Sequence, residues 1–138
     1  MATAHVTKSP GFDSRSYVLS GRDTPVPSWV PNTDVVVHEG GVTVIVELAG
    51  VRREEVNLEV NGGRLRIRGR REKGPRVPNS KYIVMEIPDG DFDFVVDLPV
   101  GLESAKATAA YLNGFLRVEL PRTSPSDGHS TKIAVADT

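Results

Sequence analysis

Val56-Asn57-Leu58-Glu59-Val60-Asn61-Gly62-Gly63-Arg64-Leu65-Arg66-Ile67-Arg68-Gly69-Arg70 is the stretch that decides the fold. Val56, Leu58 and Val60 alternate with polar residues, and so do Leu65 and Ile67. A period of two is the pattern of a strand with one dry face and one wet face. Between the two runs, Asn61-Gly62-Gly63 supplies the positive φ of a tight hairpin turn.

The same grammar continues outward. Upstream lie the β-branched runs Val35-Val36-Val37-His38 and Val42-Thr43-Val44-Ile45-Val46-Glu47-Leu48, split by Glu39-Gly40-Gly41. Downstream, a polar stretch from Arg71 to Ser80 leads into the strand candidate Lys81-Tyr82-Ile83-Val84-Met85-Glu86-Ile87. After Pro88-Asp89-Gly90, the residues Phe92, Phe94, Val96 and Leu98 share one face of a strand, with Asp91, Asp93 and Asp97 on the other. Ala107 to Leu112 and Phe115 to Leu120 flank Asn113-Gly114, the strongest short hairpin signal in the chain. Helix is confined to about one turn near Arg52–Glu55 and another near Leu102–Lys106. The expected fold class is all-β: an antiparallel, immunoglobulin-like sandwich.

Composition narrows the function classes. With 138 residues, 38% hydrophobic and 25% charged, the chain is expected to form one folded domain with tails. A net charge of −1 argues against general nucleic-acid binding. The absence of cysteine removes disulfides and thiolate metal sites. No apolar run reaches the roughly 20 residues of a membrane helix, and Met1 to Asp23 lacks an apolar signal core, so the expected location is cytoplasmic. The histidines, His5, His38 and His129, are scattered. Gly40-Gly41 and Gly62-Gly63 read as hairpin turns rather than phosphate cradles, which need a strand-to-helix context. No catalytic, cofactor-binding or metal-ligating set is expected.

The domain boundaries read as an arm at 1–28, the sandwich at 29–122 and a tail at 123–138. The arm is expected to be flexible. It carries scattered apolar residues, Phe12, Tyr17, Val18 and Leu19, and leads through Val26 into Trp29 and Val30 among three prolines, Pro25, Pro27 and Pro31. The tail is polar from Thr123 to Thr131 and then shows Ile133-Ala134-Val135, an apolar triplet with nothing local to pack against.

Four blocks carry a resemblance. Glu47-Leu48-Ala49-Gly50 resembles the E-L-P-G turn of small heat-shock proteins, with Ala49 replacing Pro. Gly90-Asp91-Phe92 followed by Leu98-Pro99 resembles their G-x-F…L-P strand. Ala109 to Leu116 resembles the A-x-x-x-N-G-V-L block, and Ile133-Ala134-Val135 resembles the C-terminal I-x-I/V anchor. The likeness runs from about Trp29 to Val135, in order and at family spacing. One departure stands out: the family usually has an arginine two residues after the Phe of G-x-F, and here that position is Phe94.

The resemblance implies an alpha-crystallin domain and an ATP-independent holdase that binds unfolding proteins and prevents their aggregation. It implies an exchangeable homo-oligomer, with Ile133 and Val135 as anchors seated between Val56–Val60 and Ala107–Leu112 of another subunit, and Leu58, Val60 and Ala110 as the groove lining. It implies a homodimer by strand exchange through Tyr82, Ile83, Val84, Met85 and Ile87. The arm residues Phe12, Tyr17, Val18, Leu19, Val26, Trp29 and Val30 are the expected client contacts. Burying each anchor side chain stabilises by roughly 1.5–3 kcal/mol, while ordering each tail residue costs about 1–2 kcal/mol. A single anchor is therefore weak, and many together hold a particle that still exchanges subunits. The alternative from another class is a monomeric co-chaperone or scaffold module with a CS-type sandwich.

The arginine row Arg64, Arg66, Arg68, Arg70 lacks the interleaved aromatics that nucleic-acid binding would use. It is expected to face the row Asp91, Asp93, Asp97 as a cross-strand charge ladder.

Overall fold

The computed structural model describes residues 5–7, 28–123 and 131–137, with side-chain detail for 28–123 and 132–137. Ten strands follow in chain order: β1 His5–Thr7, β2 Thr33–His38, β3 Gly41–Glu47, β4 Asn57–Asn61, β5 Arg64–Arg71, β6 Gly90–Asp97, β7 Thr108–Leu112, β8 Phe115–Pro121, β9 Thr131–Ile133 and β10 Val135–Asp137. Single 3-10 turns stand at Arg53–Glu55 and Ser104–Lys106. One sheet has the order β1-β6-β5-β4-β9 and the other β10-β7-β8-β3-β2. The all-β sandwich expected from the alternation is the observed architecture.

Both hairpin signals act as turns of positive φ. Gly62 and Gly63 have φ of 56° and 78°, and Asn113 and Gly114 have 52° and 81°. Two successive positive-φ residues match the right-handed twist of the flanking strands. Between the sheets lie Val42, Val44 and Val46 of β3, Leu58 and Val60 of β4, and Leu65 and Ile67 of β5. Phe92, Phe94 and Val96 of β6 and Leu116, Val118 and Leu120 of β8 complete the layer. Gly69 lets β5 approach its neighbours: a β-carbon there would fall 2.5 Å from both the Glu55 carbonyl oxygen and the Phe92 ring.

The wet face of β5 forms the expected ladder. In the register, Arg64 faces Asp97, Arg68 faces Asp93 and Arg70 faces Asp91. The ion pairs are Arg64–Asp97 at 3.2 Å, Arg70–Asp91 at 3.4 Å and, along the diagonal, Arg66–Asp93. The last is bidentate, with Arg66 Nε and Nη2 donating to the two carboxylate oxygens at 2.8 and 2.6 Å. The hydrogen bond to Asp93 holds the Arg66 guanidinium above its ordinary pKa. Asp93→Lys replaces this pair with a cation between Arg66 and Arg68. The expected loss is about 1–2 kcal/mol, read as a lower urea midpoint. Glu39→Lys, at an exposed turn position, is the control. Equal losses would remove the ladder's contribution. Asp137 cannot serve as that control, because it pairs with Arg53 at 2.8 Å.

On the outer face of the other sheet, the buried Thr43 hydroxyl donates to Glu119 Oε2 at 2.7 Å and Arg117 Nε donates to Oε1 at 2.6 Å. His38 Nε2 lies 2.8 Å from the same hydroxyl and its Nδ1 accepts from the Gly40 amide, so Nε2 is the donor to Thr43. Burial pushes the Glu119 carboxyl up, but hydrogen bonds from Arg117 and Thr43 outweigh it and hold the group below its ordinary value. A carboxyl lowered in the folded state stabilises above the unfolded pKa near 4.3 and loses that stabilisation as pH falls through the folded value. Urea midpoints at pH 6 and pH 3 should therefore differ less in Glu119→Gln than in the parent chain. An unchanged difference would show that Glu119 has no part in the acid response.

Two expectations need correction. Trp29, read as an arm residue that touches clients, is 7% exposed and belongs to the core. Its indole packs edge-on against Phe92 at 5.5 Å, donates to the Gly90 carbonyl at 2.9 Å and lies under the Arg71 guanidinium at 4.0 Å. Val30 packs against the same core. A large aromatic beside prolines is extended chain, and extended chain can lie along a sheet as well as leave it. The arm, read as flexible throughout, contributes β1, which pairs antiparallel with β6 from His5–Asp97 to Thr7–Val95. The edge of β6 offers unpaired backbone groups, and β-branched Val6 and Thr7 suit them. The segment 81–87, read as a strand exchanged with a partner, forms no strand within the single chain, in keeping with that expectation. Phe12, Tyr17, Val18, Leu19 and Val26 lie outside the described residues.

Candidate functional site

Two surfaces stand out, a filled groove and an exposed segment. The groove lies where the edges β4 and β7 of the two sheets face each other, and the tail fills it. β9 pairs antiparallel with β4, placing Ile133 opposite Leu58, Lys132 opposite Glu59 and Thr131 opposite Val60. The chain crosses at the exposed Ala134 and continues as β10 along β7. That pairing is parallel, unlike the antiparallel rest, with Val135 opposite Ala109 and Asp137 opposite Tyr111. Ile133 joins the core at 8% exposure and Val135 packs against it. Arg53, on the 3-10 turn before β4, clamps Asp137 beyond the anchor.

The alternation explains the lining. Leu58 and Val60 point between the sheets and are buried. On β7 the inward positions are Ala109 and Tyr111, and Ala109 is buried. Ala110, read as lining, sits opposite Arg117 on the outer face. Its neighbour Ala109 takes the role, which the period of two on β8 (Leu116, Val118, Leu120 inward) already encodes. Tyr111 donates its hydroxyl to the Leu48 carbonyl at 2.7 Å, tying the groove wall to the Glu47–Gly50 turn. In this single chain the anchor sits in its own groove, not a neighbour's.

The second surface is the connection between β5 and β6. Tyr82, Ile83, Val84, Met85 and Ile87 are all exposed, Ile83 at 94%. The segment leaves from a fixed base. Arg71, at the end of β5, donates to the Pro88 carbonyl at 2.8 Å and the Ala49 carbonyl at 2.9 Å. Ser28 Oγ donates to the Asp89 carbonyl at 2.9 Å. Nothing in the local sequence pattern announced these clamps, which join residues far apart in the chain. At the far edge of the other sheet, β2 has β3 on one side and no strand on the other among the described residues. Val36 and Val37 are exposed there.

Phe94, at the family's arginine position, is 1% exposed and lies between Phe92 and Val96 in the core. A cavity of about 210 Å³ opens between Val37, Val42, Pro99, Val100 and Leu102, with Arg122 at its side. Arg122 is engaged by the His38 carbonyl at 3.1 Å, so no free polar group converges on it. Among the described residues no cluster of metal ligands is present, and no helix is long and apolar enough to cross a membrane.

A two-sheet sandwich with a tail strand bridging both sheets and an apolar segment standing off β5–β6 defines an alpha-crystallin domain. Residues 34–136 match the Hsp20/alpha crystallin family, and the chain belongs to that family. The small heat shock protein C2 of Rickettsia felis is 26% identical over 124 residues, 90% of this chain and 79% of that protein. Heat shock protein 16 of Schizosaccharomyces pombe is 32% identical over 102 residues, 70% of this chain and 68% of that protein. The crystal structure of hspA from Xanthomonas axonopodis superposes with a TM-score of 0.63 at 26% identity, covering 68% of this chain and 94% of that one. The family supports a chaperone role and does not favour the CS-type co-chaperone alternative.

Proposed function

We propose that this protein is an ATP-independent holdase that binds unfolding proteins and keeps them from associating. Its unit is a homodimer formed by exchange of the segment Tyr82–Ile87, and tail anchoring joins dimers into larger, exchanging particles. It acts in the cytoplasm. No nucleotide, metal or membrane takes part.

The observation that carries the reading is the exposure of Tyr82, Ile83, Val84, Met85 and Ile87 in one run, with the chain fixed just beyond it at Pro88 and Asp89. An isolated strand does not stand in water, and a contiguous apolar run at a surface marks an interaction site. The open edge of β2 on a second copy is the acceptor: its backbone groups provide affinity and the apolar side chains provide register. Unfolding clients expose the same features, apolar surface and strand edges. Client contacts fall on these surfaces and on Phe12, Tyr17, Val18, Leu19 and Val26 of the arm.

The double substitution Ile83→Asp/Ile87→Asp tests this. Both positions are exposed in the single chain, so its fold should persist. Light scattering should show the particle reduced to about one chain, 14.9 kDa, with chaperone activity largely lost. An unchanged particle mass would refute exchange through this segment.

A further inference from the structure

Among the residues described with side chains, His38 is the one imidazole. It ends β2 and faces Gly41, the first residue of β3, across a two-residue turn. The ring ties that turn together. Its Nδ1 accepts from the Gly40 amide at 3.1 Å, and its Nε2 donates to the Thr43 hydroxyl at 2.8 Å, which donates in turn to Glu119. One nitrogen must accept while the other donates, so the arrangement requires the neutral ring with its proton on Nε2. Arg122 grips the same turn from the far side. Its amide donates to the Gly40 carbonyl at 3.0 Å and its Nη2 to the His38 carbonyl at 3.1 Å. The residue is exposed, so protons from solvent reach the ring.

We propose that His38 is a pH-sensitive pin on the β2 edge, the edge that accepts the exchanged segment of a second copy. Imidazole is the side chain whose ordinary titration falls between pH 5 and 8. Once it is protonated, both ring nitrogens are donors. The Gly40 amide then loses its acceptor, and two N–H groups oppose each other. The charges around the ring nearly balance. Glu119 on β8 and Glu39 in the turn attract an imidazolium, while Arg117 on β8 and Arg122 just beyond it repel one. Glu119 is already engaged by Arg117 at 2.6 Å. β3 presents the uncharged Thr43, and Asp34 stands four residues back on β2. The lost hydrogen bond therefore decides the outcome. Among the described residues β2 has a strand on one side only, so an opened turn frees its end to fray. The accepting form binds one proton fewer, and exchange weakens as pH falls. Acidification loosens the dimer and leaves Tyr82–Ile87 bare for clients.

The pin's control of assembly rests on the exchange reading above, and the two fail separately. Two substitutions divide the ring's roles. His38→Asn places an oxygen near the Nδ1 position and keeps an acceptor for Gly40 at every pH. His38→Gln reaches the Nε2 position, keeps a donor for Thr43 and offers Gly40 nothing. Sedimentation equilibrium of the full chain at pH 7.5 and 5.5, at equal ionic strength, gives the dissociation constant of assembly. In the parent it should rise about two- to tenfold on acidification, the worth of one hydrogen bond. The Asn variant should keep the parent's pH 7.5 value at both pH values, and the Gln variant the pH 5.5 value at both. His5 and His129 are present in all three chains, so an equal acid response in all three would overturn the pin. The turn is read apart from exchange in the Ile83→Asp/Ile87→Asp background, where the Gly40 amide proton is followed by NMR. Its resonance should move upfield between pH 7.5 and 5.5 with His38 in place and stay fixed with His38→Asn. An unmoved resonance with His38 would overturn the pin whatever the state of assembly. A moving resonance beside a parent dissociation constant that ignores pH would overturn its control of exchange.

Discussion

Trp29→Ala should lower stability by about 3–5 kcal/mol, the range for truncating a buried aromatic. The side chain fills the core beside Phe92, and its indole N–H satisfies the Gly90 carbonyl. Removing it leaves a cavity, an unpaired carbonyl and an Arg71 guanidinium without its aromatic partner. The effect should spread. Gly90 opens β6, and Arg71 fixes the base of the exposed segment through Pro88. For a domain of this size the loss corresponds to a melting temperature lower by on the order of 15–25 °C. Trp29→Phe should recover much of the packing but not the hydrogen bond. A loss below about 1 kcal/mol in the alanine variant would return Trp29 to the arm.

Phe94→Arg should be more severe, although it writes the family's usual residue into this position. Phe94 is 1% exposed, tilted against Phe92 at 6.5 Å and opposite Ile67 in the register. No acid lies on that inward face of β6, because Asp91, Asp93 and Asp97 all point to the outer face, toward the arginine row of β5. A guanidinium there would be buried without a partner, which costs several kcal/mol on top of the lost aromatic. The expected loss exceeds about 5 kcal/mol, comparable with the whole stability of many domains of about 5–15 kcal/mol. Circular dichroism at 25 °C should show a largely unfolded chain, whereas Phe94→Leu should remain folded. A cooperative Phe94→Arg transition close to that of the parent chain would show that the position opens toward solvent.

The central hairpin was legible because alternation with a glycine turn states both which faces are dry and where the chain reverses. Leu58, Val60, Leu65 and Ile67 are buried as their spacing requires. The ladder was legible for the same reason, since two rows of opposite charge on adjacent antiparallel strands have few other places to go. The diagonal pairing of Arg66 with Asp93 was not legible, because it depends on side-chain reach across the sheet twist. Ala109 rather than Ala110 lines the groove, because the strict alternation of β8 assigns the inward parity to Ala109. The burial of Trp29 is not legible, because proline-rich sequence fixes extended backbone without saying what the backbone lies against.

For Ile133 and Val135, an apolar pair calls for a groove, and the pattern does not say on which copy of the chain the groove lies. The same limit applies to Tyr82–Ile87. Its composition reads as a strand, but a strand forms only where an edge is offered. Within one chain, β5 and β6 already pair with each other along their length.

The most direct test of the account is suppression of client aggregation without nucleotide. A thermally unfolding model protein is heated with and without the full chain in nucleotide-free buffer, and scattered light is followed. The account predicts that scattering falls as chain is added and is nearly abolished near one subunit per client, and that ATP changes nothing. Undiminished scattering from a folded, assembled preparation, or suppression that appears only with ATP, would contradict it.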